Sequence, residues 1–352
     1  MTDTAVLAAT VLPDAVGGLP LVADVLGGGP LLGLPLTQLW FATLFFILGM
    51  FLFLDGFDFG TGVLYALRDD EHEREQLLAA IGPFWDGNEV WLVVFGGAMF
   101  AAFPPVYANL FSRHYLLMFA ILAGLFLRGL APEMIEQRED EAWRTWWGRS
   151  FVVGSAVTPF LVGLFAGNWV VGATSLVSLP GVVVGFALVA LCVVTGVAFV
   201  RLKSRGPLRA EVAPIGLQAL VAYLVLVVAA LGSIYVTTPA LQSEILSPAV
   251  IGLVVLTVAL AVGYAVATRR DQYHAAFTAG AGLVFTFVVV VARLLYPYVD
   301  PAADLTASEA IISPLPLNLM TIMGAIMIPI VLGYFVILYS TFAGPIEPEE
   351  TY

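Results

Sequence analysis

Lysine is all but missing from this chain: Lys203 is the only one, set against thirteen arginines. Cysteine is also single, Cys192 inside an apolar run, which excludes a disulfide framework and a cysteine metal site. The three histidines are His72, His114 and His274. None lies deep in an apolar run, and no two are spaced for a bis-histidine haem or a metal cluster. Charge of either sign is scarce, at 11% of residues. There is no phosphate loop, no GxGxxG and no basic patch, so nucleotide and nucleic-acid binding drop out. No signal peptide is expected either. Residues 1–36 lack a basic start and are broken by Pro13, Pro20, Pro30, Pro35 and the Gly27–Gly29 run. They are expected to form a weakly structured extension outside the membrane.

What the chain has in quantity is hydrophobic sequence: 60% of its 352 residues, with a mean hydropathy of +0.96. That balance belongs to an all-α, polytopic membrane protein. Runs of about 20 apolar residues predict nine spans, near 38–67, 76–104, 113–134, 147–172, 179–201, 213–237, 247–268, 274–297 and 316–342. The expected organisation is an extension at 1–36, a nine-helix membrane unit at 37–343 and an acidic tail at 344–352. Connections after the first, third, fifth and seventh spans, counting Arg128 at the inner end of the third span, carry 12 of the 14 basic residues. The positive-inside rule then puts the N-terminus outside and the C-terminus inside.

Acids interrupt these runs. Asp55 and Asp58 stand in F-L-D-G-F-D-F-G, and Asp86 and Glu89 in P-F-W-D-G-N-E-V-W-L. A carboxylate at such depth costs roughly 2.5–3.5 kcal/mol on insertion scales and is expected to face a bundle interior or a cavity. Each pair is spaced i,i+3 on one helix face. Counting about 1.5 Å per helical residue from the short 68–75 connection predicts Asp58 and Asp86 at similar depth on antiparallel neighbours. Such acids either exchange protons or serve as hydrogen-bonded helix glue. Arg128, in L-F-L-R-G-L-A-P-E, is the one basic residue clearly inside a span; it snorkels to the interface or pairs with a buried acid. Glu133 follows it near the interface. Trp85 and Trp91 flank the acids of the second span as core packing or as a ligand wall. Most of the nearby glycines (Gly56, Gly60, Gly62, Gly82, Gly87, Gly96, Gly97) read as close-packing positions.

The D-G-F-D-F-G and W-D-G-N-E-V-W-L motifs together resemble subunit II of the cytochrome bd-type quinol oxidases. The likeness continues through F-A-A-F-P-P-V-Y-A, F-S-R-H-Y, L-F-L-R-G, G-S-A-V-T-P-F-L-V-G-L-F-A-G-N, Y-P-Y-V-D-P, L-N-L-M-T and I-P-I-V-L-G-Y. One departure stands out: where the family commonly has a second arginine seven residues after the first, this chain has Ile135. The resemblance implies a multi-pass subunit of the cytoplasmic membrane, in a complex that oxidises quinol and reduces oxygen to water. It implies that haems b and d and the quinol site belong to a homologous subunit I, with no cofactor or metal bound by this chain alone and no catalytic residue in it. It leaves room for a small accessory subunit, for bound membrane lipid and for a structural quinone. Asp86, with Asp58, Glu89 and Asp55, would serve a proton path, and Trp91 an oxygen channel. Arg128, Glu133, Trp85 and Asn88 would have structural or charge-pairing roles. The rival class is a proton-coupled secondary transporter using Asp58 and Asp86.

Overall fold

The computed structural model describes residues 24–345; the first part of the expected extension and most of the acidic tail lie outside these. The described chain is a helical bundle. Its long helices are α1 (Leu36–Tyr65), α2 (Glu71–Ile81), α3 (Trp85–Ala102), α4 (Pro104–Arg113), α5 (Tyr115–Glu136), α6 (Glu141–Val170), α7 (Leu179–Lys203), α8 (Ala213–Thr237), α9 (Pro248–Arg269), α10 (Tyr273–Leu295) and α11 (Pro314–Thr341). Eight of the described helices are long and apolar enough to cross a membrane.

The predicted second span, 76–104, is not one helix. It divides at Gly82-Pro83-Phe84 into α2 and α3, because Pro83 has no N–H to donate and its ring clashes with the preceding turn. Glutamates make α2 polar. α3 is therefore a separate, 18-residue helix that opens with Asp86, Asn88 and Glu89 and falls outside the eight. At about 1.5 Å per residue it is close to a hydrocarbon core in length.

Helices α1, α6 and α7 form the centre, with 67%, 61% and 72% of their most apolar stretches buried; in α11 the figure is 6%. Small residues set how near the central helices come. A Cβ on Gly60 of α1 would lie 1.9 Å from the Cys192 carbonyl oxygen of α7. One on Gly62 would lie 2.0 Å from Ser155 Oγ of α6. Helix starts are capped by side chains that accept the free N–H groups: Asp70 from Glu73 (3.0 Å), Asp140 from Trp143 (2.9 Å) and Ser178 from Gly181 (3.0 Å).

Ion pairs also tie the bundle together at its two ends. At the end holding the 66–70 turn, Arg68 pairs with Glu211 (2.8 Å), and Arg144 with Glu71 and Glu75 (2.9 and 3.0 Å). At the opposite end the 298–315 connection folds into a small antiparallel hairpin, β1 (Tyr298–Asp300) and β2 (Leu305–Thr306), followed by a single helical turn. Arg113 holds the fully buried Asp300 there through two hydrogen bonds of 2.8 and 3.1 Å. This pair was not anticipated; the only sequence sign was an acid beside a proline in Y-V-D-P.

Candidate functional site

The buried acids gather round Arg128. α1 supplies Asp55 and Asp58, one turn apart and both fully buried; α3 supplies Asn88 and Glu89; α5 supplies Arg128, 1% exposed. Arg128 reaches α1 because α5 and α6 touch backbone to backbone: a Cβ on Gly154 would lie 2.6 Å from the Arg128 nitrogen. Of the two fates the sequence left open for Arg128, it takes pairing with buried acids.

Arg128 Nη2 lies 2.6 Å from Asp55 Oδ1 and 2.9 Å from Glu89 Oε2, and Nη1 lies 3.9 Å from Asp58 Oδ2. The guanidinium carbon also sits 4.7 Å from the Phe59 ring centre and 5.9 Å from that of Trp85, so aromatic faces supply part of the solvation that water would give. Phe59 was not foreseen in this role, since one phenylalanine in a phenylalanine-rich helix carries no signal. Asp58 Oδ2 accepts a hydrogen bond from Asn88 Nδ2 (2.9 Å), and Tyr339 of α11 donates to Asn88 Oδ1 (2.9 Å).

Three carboxylates around one guanidinium leave two negative charges over if all are ionised (3 − 1 = 2). An uncompensated charge in an apolar interior is costly, and such groups take up protons instead. Asp55 Oδ2 and Asp58 Oδ1 are buried and accept no hydrogen bond among the described residues. The arrangement therefore suits proton exchange, with Arg128 holding the acids together.

Asp86, expected to face a bundle interior or a cavity, is instead exposed on the surface of the chain, and Asn88 occupies the place opposite Asp58. The cause is the helix break, which puts Asp86 in the first turn of α3 rather than partway along a continuous span. An acid is favoured there by the free N–H groups and the helix dipole. Glu133 is exposed, and its carboxylate joins no ion pair among the described residues. Trp85 is half-buried beside Arg128. Trp91 is buried against Phe335 of α11, with ring centres 5.8 Å apart.

Beside the cluster lies an apolar cavity of about 700 Å³, with Glu89 as its one acid and walls that include Phe95, Phe119, Phe165 and Trp169. Gly96 and Gly97 line it; a Cβ on either would touch nothing within 4 Å, so these two are not close-packing glycines. Trp91 lies outside its lining. The described residues contain no group of three His, Cys, Asp or Glu placed to hold a metal ion. His72 and His274 are exposed, and His114 is buried near the hairpin end.

Residues 36–342 match the family described as cytochrome bd terminal oxidase subunit II. The chain is 31% identical to a Bacillus subtilis protein named cytochrome bd ubiquinol oxidase subunit 2, over 90% of this chain and 98% of that one. It is 28% identical to the Escherichia coli K12 cytochrome bd-I ubiquinol oxidase subunit 2, over 90% of this chain and 96% of that one. Over 39% of its length it is 38% identical to a Haemophilus influenzae protein named probable cytochrome oxidase subunit 2. A multi-pass helical chain whose buried acids converge on one arginine, matched along nearly its whole length, belongs to the cytochrome bd terminal oxidase subunit II family.

Proposed function

We propose that this chain is the haem-free second subunit of a quinol:oxygen oxidoreductase. It stabilises a homologous, haem-bearing subunit I and supplies part of the proton path to it. The observation that carries the reading is the Arg128 cluster, in which one cation holds two fully buried aspartates and the partly exposed Glu89, more carboxylates than a single guanidinium can balance. The names of the relatives support the oxidase class and give no support to the transporter alternative.

In this reading the arginine-rich connections face the cytoplasm, so the N-terminus is outside, the C-terminus is inside, and the start of α3 lies towards the inner side. Asp86, exposed at that start, is the first acid an incoming proton meets. Glu89 lies three residues further on, against Arg128, with Asp55 and Asp58 behind it. Exposure of Asp86 on the single chain fits a path that runs along the contact with subunit I. An oxygen route past Trp91 is supported by its place one turn before Phe95, whose ring lines the apolar cavity.

The test is turnover in complexes of equal haem content. Asp86→Asn keeps the shape and most hydrogen bonds but cannot release a proton; a required transfer group is worth on the order of 10²-fold in rate. Asp86→Glu keeps a titrating group and is expected to retain more activity. Wild-type turnover in an intact Asp86→Asn complex rejects the proton path through this residue.

A further inference from the structure

The last helix is held to the bundle in an unusual way, and this bears on the proton-path reading above, on which the inference rests. Only Leu317, Asn318 and Phe335 of α11 are buried. Polar hooks fasten its two ends. Near the start, Asn318 Nδ2 donates to the carbonyls of Leu26 (2.7 Å) and Gly29 (2.8 Å), and its Oδ1 accepts from the Leu31 N–H (2.9 Å). Trp40 Nε1 donates to Thr321 Oγ1 at 2.9 Å. Near the other end Lys203 Nζ donates to the carbonyl of Phe342. There Tyr339 stacks on Phe84, with ring centres 4.4 Å apart and planes 13° from parallel.

Hydrogen-bond direction then fixes what the Tyr339 hydroxyl does. Asn88 is fully buried. A backbone carbonyl only accepts, so the amide end 3.3 Å from the Leu54 oxygen must be Nδ2. The same NH₂ group places its other hydrogen on Asp58 Oδ2, 2.9 Å away. Oδ1 is thereby turned towards Tyr339, whose hydroxyl has to be the donor across 2.9 Å. Both amide hydrogens and one amide lone pair are engaged, and turning the amide would set its oxygen against the Leu54 carbonyl, which can only accept. Asp58 Oδ1 is left buried with no hydrogen bond from the described residues.

We propose that Tyr339 is a positioning residue for the proton path. Its hydroxyl orients Asn88, whose amide holds Asp58 by Oδ2 and leaves Oδ1 as the oxygen that takes up and releases the proton. α11 thus reaches the acid cluster through one hydroxyl at its inner end, although most of the helix lies outside the bundle core.

The experiment uses the whole oxidase complex at matched haem content. Tyr339→Phe keeps the ring and its stacking on Phe84 and removes only the donor. The readouts are the carboxyl C=O stretch of Asp58 in infrared difference spectra, assigned by its loss in Asp58→Asn, and turnover as a function of pH. The carboxyl band is expected to shift, the pH profile to move, and kcat to fall roughly three- to tenfold, the rate equivalent of one net hydrogen bond, with quinol KM unchanged. In an Asn88→Ala background Tyr339→Phe should add nothing, because the residue acts through that amide. An unmoved band and pH profile in Tyr339→Phe, or a full additive effect without Asn88, overturns the proposal. Wild-type turnover in Asp58→Asn would remove Asp58 from the path, while the Asp58 band would still report whether Tyr339 positions it. Should Tyr339→Phe lose haem, 4-aminophenylalanine in place of Tyr339, which keeps a donor at the same point of the ring, is read by the same band. A position near wild type supports the proposal, and a displacement as large as in Asn88→Ala overturns it.

Discussion

Arg128 is where a single side chain matters most. It is the only cation touching Asp55, Asp58 and Glu89 among the described residues. Breaking a buried ion pair by removing one partner costs about 3–5 kcal/mol, because the other charge is left uncompensated. Arg128→Leu is therefore expected to lower the yield of haem-loaded complex severely. Arg128→Lys keeps the charge and should recover part of that yield; haem per purified complex is the measurement. A second residue-scale prediction concerns pH at the opposite end of the bundle. The Thr306 hydroxyl and backbone N–H both donate to Glu309 (2.6 and 3.0 Å) and hold its carboxyl below the usual 4.5. A lowered carboxyl adds stability that is complete above about the usual value and is lost as pH falls through the lowered one. Amide-exchange protection at residue 306, whose N–H the Glu309 carboxylate accepts, should therefore fall only below about pH 4.5. Thr306→Ala should bring that loss on at a higher pH than in wild type.

Between helices, the glycines separate into two kinds that look alike in sequence. Gly60 sits where α1 meets α7, and any Cβ there collides with the Cys192 carbonyl. Gly96 opens onto the apolar cavity with nothing within 4 Å. Gly60→Ala is expected to lower the stability of the complex by about 1–3 kcal/mol, as overpacking does. Gly96→Ala should stay within about 0.5 kcal/mol of wild type. Thermal unfolding of the two complexes side by side checks the contrast. The break at Pro83 is the other lesson at this scale. The apolar run of 76–104 reads as one span by hydropathy, yet the missing N–H of Pro83 divides it, and the division sends Asp86 outwards while Asn88 turns to Asp58.

For the molecule as a whole, the exposed apolar faces of α5, α8, α9 and α11 leave much surface to be covered by lipid or by a partner. The chain made alone is expected to show no haem absorbance and no quinol:oxygen activity. Haem bound stoichiometrically to the isolated chain would overturn the haem-free assignment, and absence of haem b and d bands from the gently purified complex would count against the oxidase reading. Orientation is open to direct test, because the native Cys192 is buried and silent. An impermeant thiol reagent added from outside should label a cysteine at exposed Ala303 and not one at exposed Glu139. The reverse pattern would invert every inside and outside statement made above.

The sequence by itself determined that this is a helical membrane protein. Hydropathy is a local property and length fixes which runs can span, so eight of the nine predicted spans appear as long apolar helices. It also marked Asp55, Asp58, Glu89 and Arg128, because charge is so rare in such runs that each instance stands out. The tertiary structure alone decided which of them meet. Arg128 lies 70 residues after Asp58 in the chain, and only the close approach of α5 and α6 at Gly154 brings it to α1. The same holds for Tyr339, an aromatic in a helix of ordinary membrane composition, whose hydroxyl finds Asn88 across a separation of 251 residues. Periodicity assigns a residue to a face of its own helix, but which neighbour that face meets depends on backbone contacts between helices far apart in sequence.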